Sequence, residues 1–272
     1  MKHNPLLRCS RALCICAVPF AAFVAVSATA ANISWNGAAD AVWSTGGNWV
    51  GGLAPVATDV AVFNAGSNAN LTTALGADFS IQGLRITTPG GLITIGAGNL
   101  LTLGAGGIDM SAASQNLLLN ALVALAADQS WNVANGRTLT ANGIISGTNV
   151  NLNKIGLGDL ILGGANTFTG ATTIGGGTLT LNGSLNGTTG TDLTFAGTGT
   201  FNVSASSGVS QGMKVLRFSA GDGTVRSTHN GGTSTVSFTS RAARVAGATG
   251  NFTLINGTQG AGGTNNITIG GS

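Results

Sequence analysis

Ser210 lies in Gly208-Val209-Ser210-Gln211-Gly212, and Asp222 and His229 follow it. Gly-x-Ser-x-Gly followed by an acid and a histidine is the order in which a hydrolase of the nucleophile-elbow type presents its catalytic groups. That chemistry needs a strand–turn–helix elbow and donors for an oxyanion, and the residues around Ser210 announce neither. With 45 glycines in 272 residues the pattern arises readily by chance. His229 sits in Ser227-Thr228-His229-Asn230-Gly231-Gly232 and reads as a surface loop residue.

Carboxylates are the other candidates. Glycosidases need two of them facing one bond, yet Asp40, Asp59, Asp78, Asp109, Asp128, Asp159, Asp192 and Asp222 are each isolated in sequence. Stacked strands could bring Asp128 and Asp159 together, although no spacing demands it. Calcium sites of the tandem Gly-Gly-x-Gly-x-Asp kind have single, imperfect echoes at Gly104–Asp109 and Gly156–Asp159, which read better as turn glycines. No His/Cys cluster suits a metal, no phosphate loop occurs, and no cofactor is expected. Lys154 fits a structural position better than a catalytic amine.

The elements that would carry such residues are short and extended. Leu160/Leu162 and Leu179/Leu181 are apolar pairs two residues apart, the period that sends side chains to one face of a strand. Ile93-Thr94-Ile95, Leu101-Thr102-Leu103 and Ile267-Thr268-Ile269 repeat the theme, with further units at Asp59–Phe63, Leu84–Thr87, Asp192–Phe195, Gly199–Val203, Ser234–Thr239 and Phe252–Ile255. Neighbouring units often lie roughly 8 to 10 residues apart, which predicts an all-β fold. Leu117–Asp128 is rich in helix formers, but it is uniformly apolar and its context is β, so strands are expected there. Asn-Gly pairs at Asn36, Asn135, Asn142, Asn182, Asn186, Asn230 and Asn256 suit hairpins and keep an antiparallel β-sandwich as the alternative.

Composition sets further bounds. Lys2, Arg8 and Arg11 precede the apolar run Leu13–Val26, and Ala28-Thr29-Ala30 offers small residues for cleavage, so residues 1–30 read as a secretory signal. All three cysteines, Cys9, Cys14 and Cys16, leave with it. Three of the eleven Lys/Arg also leave, and the remaining eight face eight Asp, so the net charge of +3 belongs to the leader. A neutral exported chain argues against nucleic acid as a partner. Charged residues make up 7% of the sequence and Tyr is absent, so Thr, Ser and Asn must keep the surface wet.

Between residues 154 and 183 the pattern is specific. Lys154, Gly156, Gly158, Leu160, Leu162, Gly164, Asn166, Phe168, Gly170, Thr172, Thr173, Gly177 and Leu179 resemble the autotransporter-associated β-strand repeat, also described as the passenger-associated transport repeat. Asp159 departs from it, since a small residue is expected there. Gln129–Val133 looks like the strand that often precedes this repeat. The resemblance implies a right-handed parallel β-helix exported to the surface or surroundings of a Gram-negative bacterium; at roughly 20 to 27 residues for three short strands and three turns, about nine to eleven rungs are expected. Residues 31–66, with Trp35, Trp43, Trp49 and Phe63, resemble the opening segment of such proteins. They are expected to cap the solenoid over residues 67–272, or alternatively to stack on sugars. No translocator barrel or sorting tail follows in the sequence, so a translocator or anchor is expected to be separate or missing. The expected role is a non-catalytic passenger or stalk. An adhesin or carbohydrate-binding module, with surface glycans or other cell-surface proteins as partners, is the alternative, and a polysaccharide-active enzyme comes third.

Overall fold

The computed structural model describes residues 30–187, 189–204, 208, 210–260 and 262–271. The expected leader therefore lies outside the described residues, apart from Ala30. About half of the described chain is strand and most of the rest is turn or loop, and every pairing between named strands is parallel. Parallel neighbours cannot be joined by hairpins, so the antiparallel sandwich is excluded. The Asn-Gly pairs serve corners instead: Asn186 and Gly187, like Asn256 and Gly257, both adopt positive φ between strands that turn onto a new face.

Three faces alternate along the chain. The strand Leu152–Ile155 lies on the first, Asp159–Leu162 on the second and Ala165–Asn166 on the third; Thr172–Ile174 then returns to the first, one layer on. The second face is a nine-stranded sheet, hence nine layers and about eight turns. Nine layers is the low end of the nine to eleven rungs expected. Leu160 pairs with Leu179, 19 positions on, but Val236 pairs with Ile267, 31 positions on, so wide terminal rungs consume the chain. At about 4.8 Å per layer the stack extends roughly 40 Å. First and third faces merge into one thirteen-stranded sheet because Phe79–Ile86, Leu100–Met110, Ser210–Ala220 and Ser234–Arg241 bend around a corner without breaking.

The core follows from register. Ile93, Leu117, Leu139, Leu160, Leu179, Phe201 and Val225 form one column, each opposite the next, and all are fully or almost fully buried. Thr is the commonest residue among their outward neighbours. Leu117–Leu119 and Leu122–Leu125 are strands, as the β context predicted, because alternate residues face the core while the others face out. The strand Leu100–Met110 runs well past its apolar pair Leu101 and Leu103. Gly104, Gly106 and Gly107 carry no side chain to mark its parity, so the pattern hides that continuation.

The two ends differ. Trp35, Trp43 and Trp49 are buried over the first layers, with edge-on ring contacts at centroid distances of 5.0 and 5.3 Å and Phe63 packed against them. Each indole N–H is used, by Ala69 O, Thr73 Oγ1 and Trp43 O respectively. Glycan stacking requires an open ring face, and these three leave none. At the far end, Phe252 and Ile269 occupy inward register positions beside Val225 and Phe238, yet they are 42% and 38% exposed because no described layer covers them. We expect Leu160→Ala to lower the unfolding free energy by about 2–5 kcal/mol through cavity formation. Leu157→Ala, at a turn residue that is 67% exposed, should change it by less than about 0.5 kcal/mol; denaturant titration of both variants checks the contrast.

Candidate functional site: the buried polar corners

The repeat segment makes one full turn from Lys154 to Thr173, and it places one buried polar side chain near each corner. Lys154 stands between the first and second faces, Asn166 between the second and third, and Thr172 where the chain returns to the first. Lys154 is the polar exception in an inward column that reads Ala61, Leu84, Ile108, Trp131, Lys154, Ile174, Phe195 and Phe218. Its Nζ donates to Ile155 O and Gly156 O at 2.9 Å and to Gly176 O, one layer on, at 3.1 Å. An ammonium has three protons, and all three are bonded. Burial nevertheless pulls its pKa down to about 8, with the Asp159 charge acting in the opposite direction.

Asn166 ties three layers together. Its Oδ1 accepts from Ile145 N at 3.0 Å below, while Nδ2 donates to Gly164 O in its own corner and to Ser184 O above. Gln211 repeats the device on the same face, accepting from Leu185 N and donating to Leu185 O, Gly187 O and Gly212 O. Thr172 and Thr191 share a buried hydroxyl contact at 3.1 Å. Gln129, at another corner, donates to Leu103 O and accepts from the Trp131 indole. The sequence pattern marks Lys154, Asn166 and Thr172 as motif positions, but it misses Gln129 and Gln211. An amide in a strand looks like a surface residue until its inward parity is counted.

The motif glycines have a simple reason. A Cβ on Gly158 would strike Ala134 O, one on Gly170 would strike Val150 O, and one on Gly164 would strike Gly143 O, in each case the backbone one layer below. Gly156 and Gly177 add positive φ, the left-handed region that side chains resist. Leu160, Leu162, Phe168 and Leu179 are fully buried, whereas Thr173 faces out.

The catalytic alternatives do not assemble. Asp222 opens the strand Asp222–Thr228 and His229 follows its end, about 20 Å apart at strand rise. Ser210 begins a strand of another face. Asp222 accepts from the Thr249 hydroxyl instead. Asp128 caps Asn151 through that residue's N–H and side chain, which hold its carboxyl below the usual range, while Asp159 starts a second-face strand. The Asp128–Asp159 pair is therefore not formed. Asp109, the carboxylate of one calcium echo, is bonded by Ser111 and paired with Arg85 at 3.3 Å. Burial raises its pKa, but those partners outweigh burial and leave it lowered. Among the described residues no group of three or more His, Cys, Asp or Glu is placed to hold a metal ion.

Geometry thus defines a parallel β-solenoid whose chemistry is directed inward, between layers. Residues 152–181 match the family model of the passenger-associated transport repeat, running from a first-face strand to the second-face strand one layer later. No curated protein and no solved structure matches the chain.

Asn166→Leu leaves buried backbone groups of three layers unpaired and should cost about 3 kcal/mol or more, measured by denaturant unfolding. A pH dependence follows from Lys154. Because it titrates lower folded than unfolded, the unfolded chain binds more protons between about pH 8 and 10.5, so stability rises with pH across that window. The melting temperature of the native chain should increase from about pH 8 to about pH 10, and Lys154→Met should abolish the increase.

Proposed function

We propose that this chain is an exported structural solenoid: a passenger or stalk segment of an autotransporter-like surface protein, working through shape instead of catalysis. The observation that carries this reading is the coincidence of the passenger-associated transport repeat at residues 152–181 with one turn of a continuous parallel stack. Rung-to-rung hydrogen bonds run along the long axis, so tension on the rod is shared over many parallel bonds. The apolar run and small residues of the first thirty positions support export. A cysteine-free exported chain also fits passage through an oxidising periplasm without premature cross-links. Eight basic against eight acidic groups beyond the leader support a role without nucleic acid.

A binding role is the second reading, and it rests on the outer surface of the second face. Thr178, Thr200 and Thr224 stand in register on three successive layers, beside a groove of about 330 Å³ walled by Leu157 and Asp222. Hydroxyls at this regular spacing suit an extended glycan or a cell-surface protein.

Expression of the full chain with a carboxyl-terminal tag in a Gram-negative host, followed by fractionation, tests the first reading. A tag recovered outside the cytoplasm, with the first thirty residues removed, is the expected result. Retention in the cytoplasm with the leader intact, or depolymerisation of a polysaccharide by the purified protein, would overturn it. Glycan-array binding that Thr200→Val abolishes would establish the second reading.

A further inference from the structure

Ser227 breaks a dry column. The inward positions Ile95, Leu119, Ala141, Leu162, Leu181, Val203, Ser227 and Leu254 follow one another in register, and Ser227 is the polar member. It is fully buried, and its Oγ has no hydrogen-bond partner. Ser234 Oγ, Asn265 Oδ1 and His229 Nδ1 are likewise buried and unpartnered.

These four atoms belong to one corner. Ser227 and Ser234 flank the turn between the second and third faces of a single rung. Asn265 pairs with Ser234 one layer on, and its Nδ2 reaches Ser227 O at 3.1 Å as well as Ile255 O and Asn256 O. A Cβ on Gly257 would lie 3.0 Å from Asn265 Cβ and 3.1 Å from His229 Cβ, so these two side chains also start close together. Asn265 resembles Asn166 in donating to several carbonyls. The difference is its acceptor: Asn166 Oδ1 receives Ile145 N, whereas Asn265 Oδ1 receives nothing.

We infer that this corner is a built site for an internal water molecule. Buried polar atoms without partners carry a desolvation cost that nothing else in the corner offsets. The inventory suits water: Ser227 and Ser234 supply hydroxyl donors, Asn265 Oδ1 supplies an acceptor, and an imidazole nitrogen such as His229 Nδ1 can take either part. A water offers two acceptor sites and two protons, and internal waters make roughly two to four such bonds. The four atoms include no negative charge, so a cation held there would be uncompensated. An apolar occupant would leave all four atoms unmet. The water would add to the amide-to-backbone bonds by which Asn265 already ties the last two described layers together. The site does not depend on the passenger reading.

A high-resolution crystal structure of the full chain tests the inference, with water–protein magnetisation transfer in solution as the second measurement. The expected result is an ordered water bonded to Asn265 Oδ1 and to at least one of the two serine hydroxyls, lost in a folded Ser227→Val variant. Three results would overturn it: an empty corner, serine hydroxyls turned onto backbone carbonyls, or a peak with the scattering and coordination of a metal ion.

Discussion

Apart from register shifts near Phe195 and Ile81, strand residues of neighbouring described layers lie over one another, about 4.8 Å apart, and the other features follow from that in-register stacking. A side chain turned inward must fit the narrow core in its own layer and also meet its counterparts above and below. Aliphatic columns satisfy both conditions with no direction to their contacts. At the corners the backbone itself approaches the backbone beneath it, and there a Cβ has no room. Gly158, Gly164 and Gly170 are products of that approach.

A core made wholly of aliphatics would stack equally well in shifted registers. Polar corners remove that freedom. Lys154 finds three carbonyls from two layers, and Asn166 finds groups from three, only when the layers are aligned as they are. A slip by one residue would turn each of these groups outward or strand it in the core. Such groups are costly to bury, so their value lies in specifying the stack more than in strengthening it. The two ends of the described stack differ: an aromatic cluster packs over its first layers, while its last described layer presents Phe252, Leu254, Ile267 and Ile269 to a groove of about 370 Å³.

Much of the strand pattern is legible because its cause is local. Gly199–Val203 and Asp159–Leu162 alternate inward and outward residues, and a strand with one dry face requires that alternation. Leu117–Leu119 and Leu122–Leu125 are legible only through their surroundings, since a uniformly apolar run has no period. The corner glycines and Lys154 are recognisable as a motif, though nothing local explains them. Gln129 and Gln211 pass unnoticed, because a lone amide carries no mark of facing inward.

The order of amino acids is enough to set the extended conformation, the inward parity of the aliphatic pairs and the places where the chain must turn. Those properties depend on neighbours a few residues away. Contacts between residues far apart in the chain set the rest: that the layers run parallel, that the Asn-Gly turns become corners, and that three tryptophans pack together over the first described layers. They also settle which polar groups meet. Ser227, Ser234 and Asn265 share a corner because successive layers superpose, and no spacing in the chain states that they do.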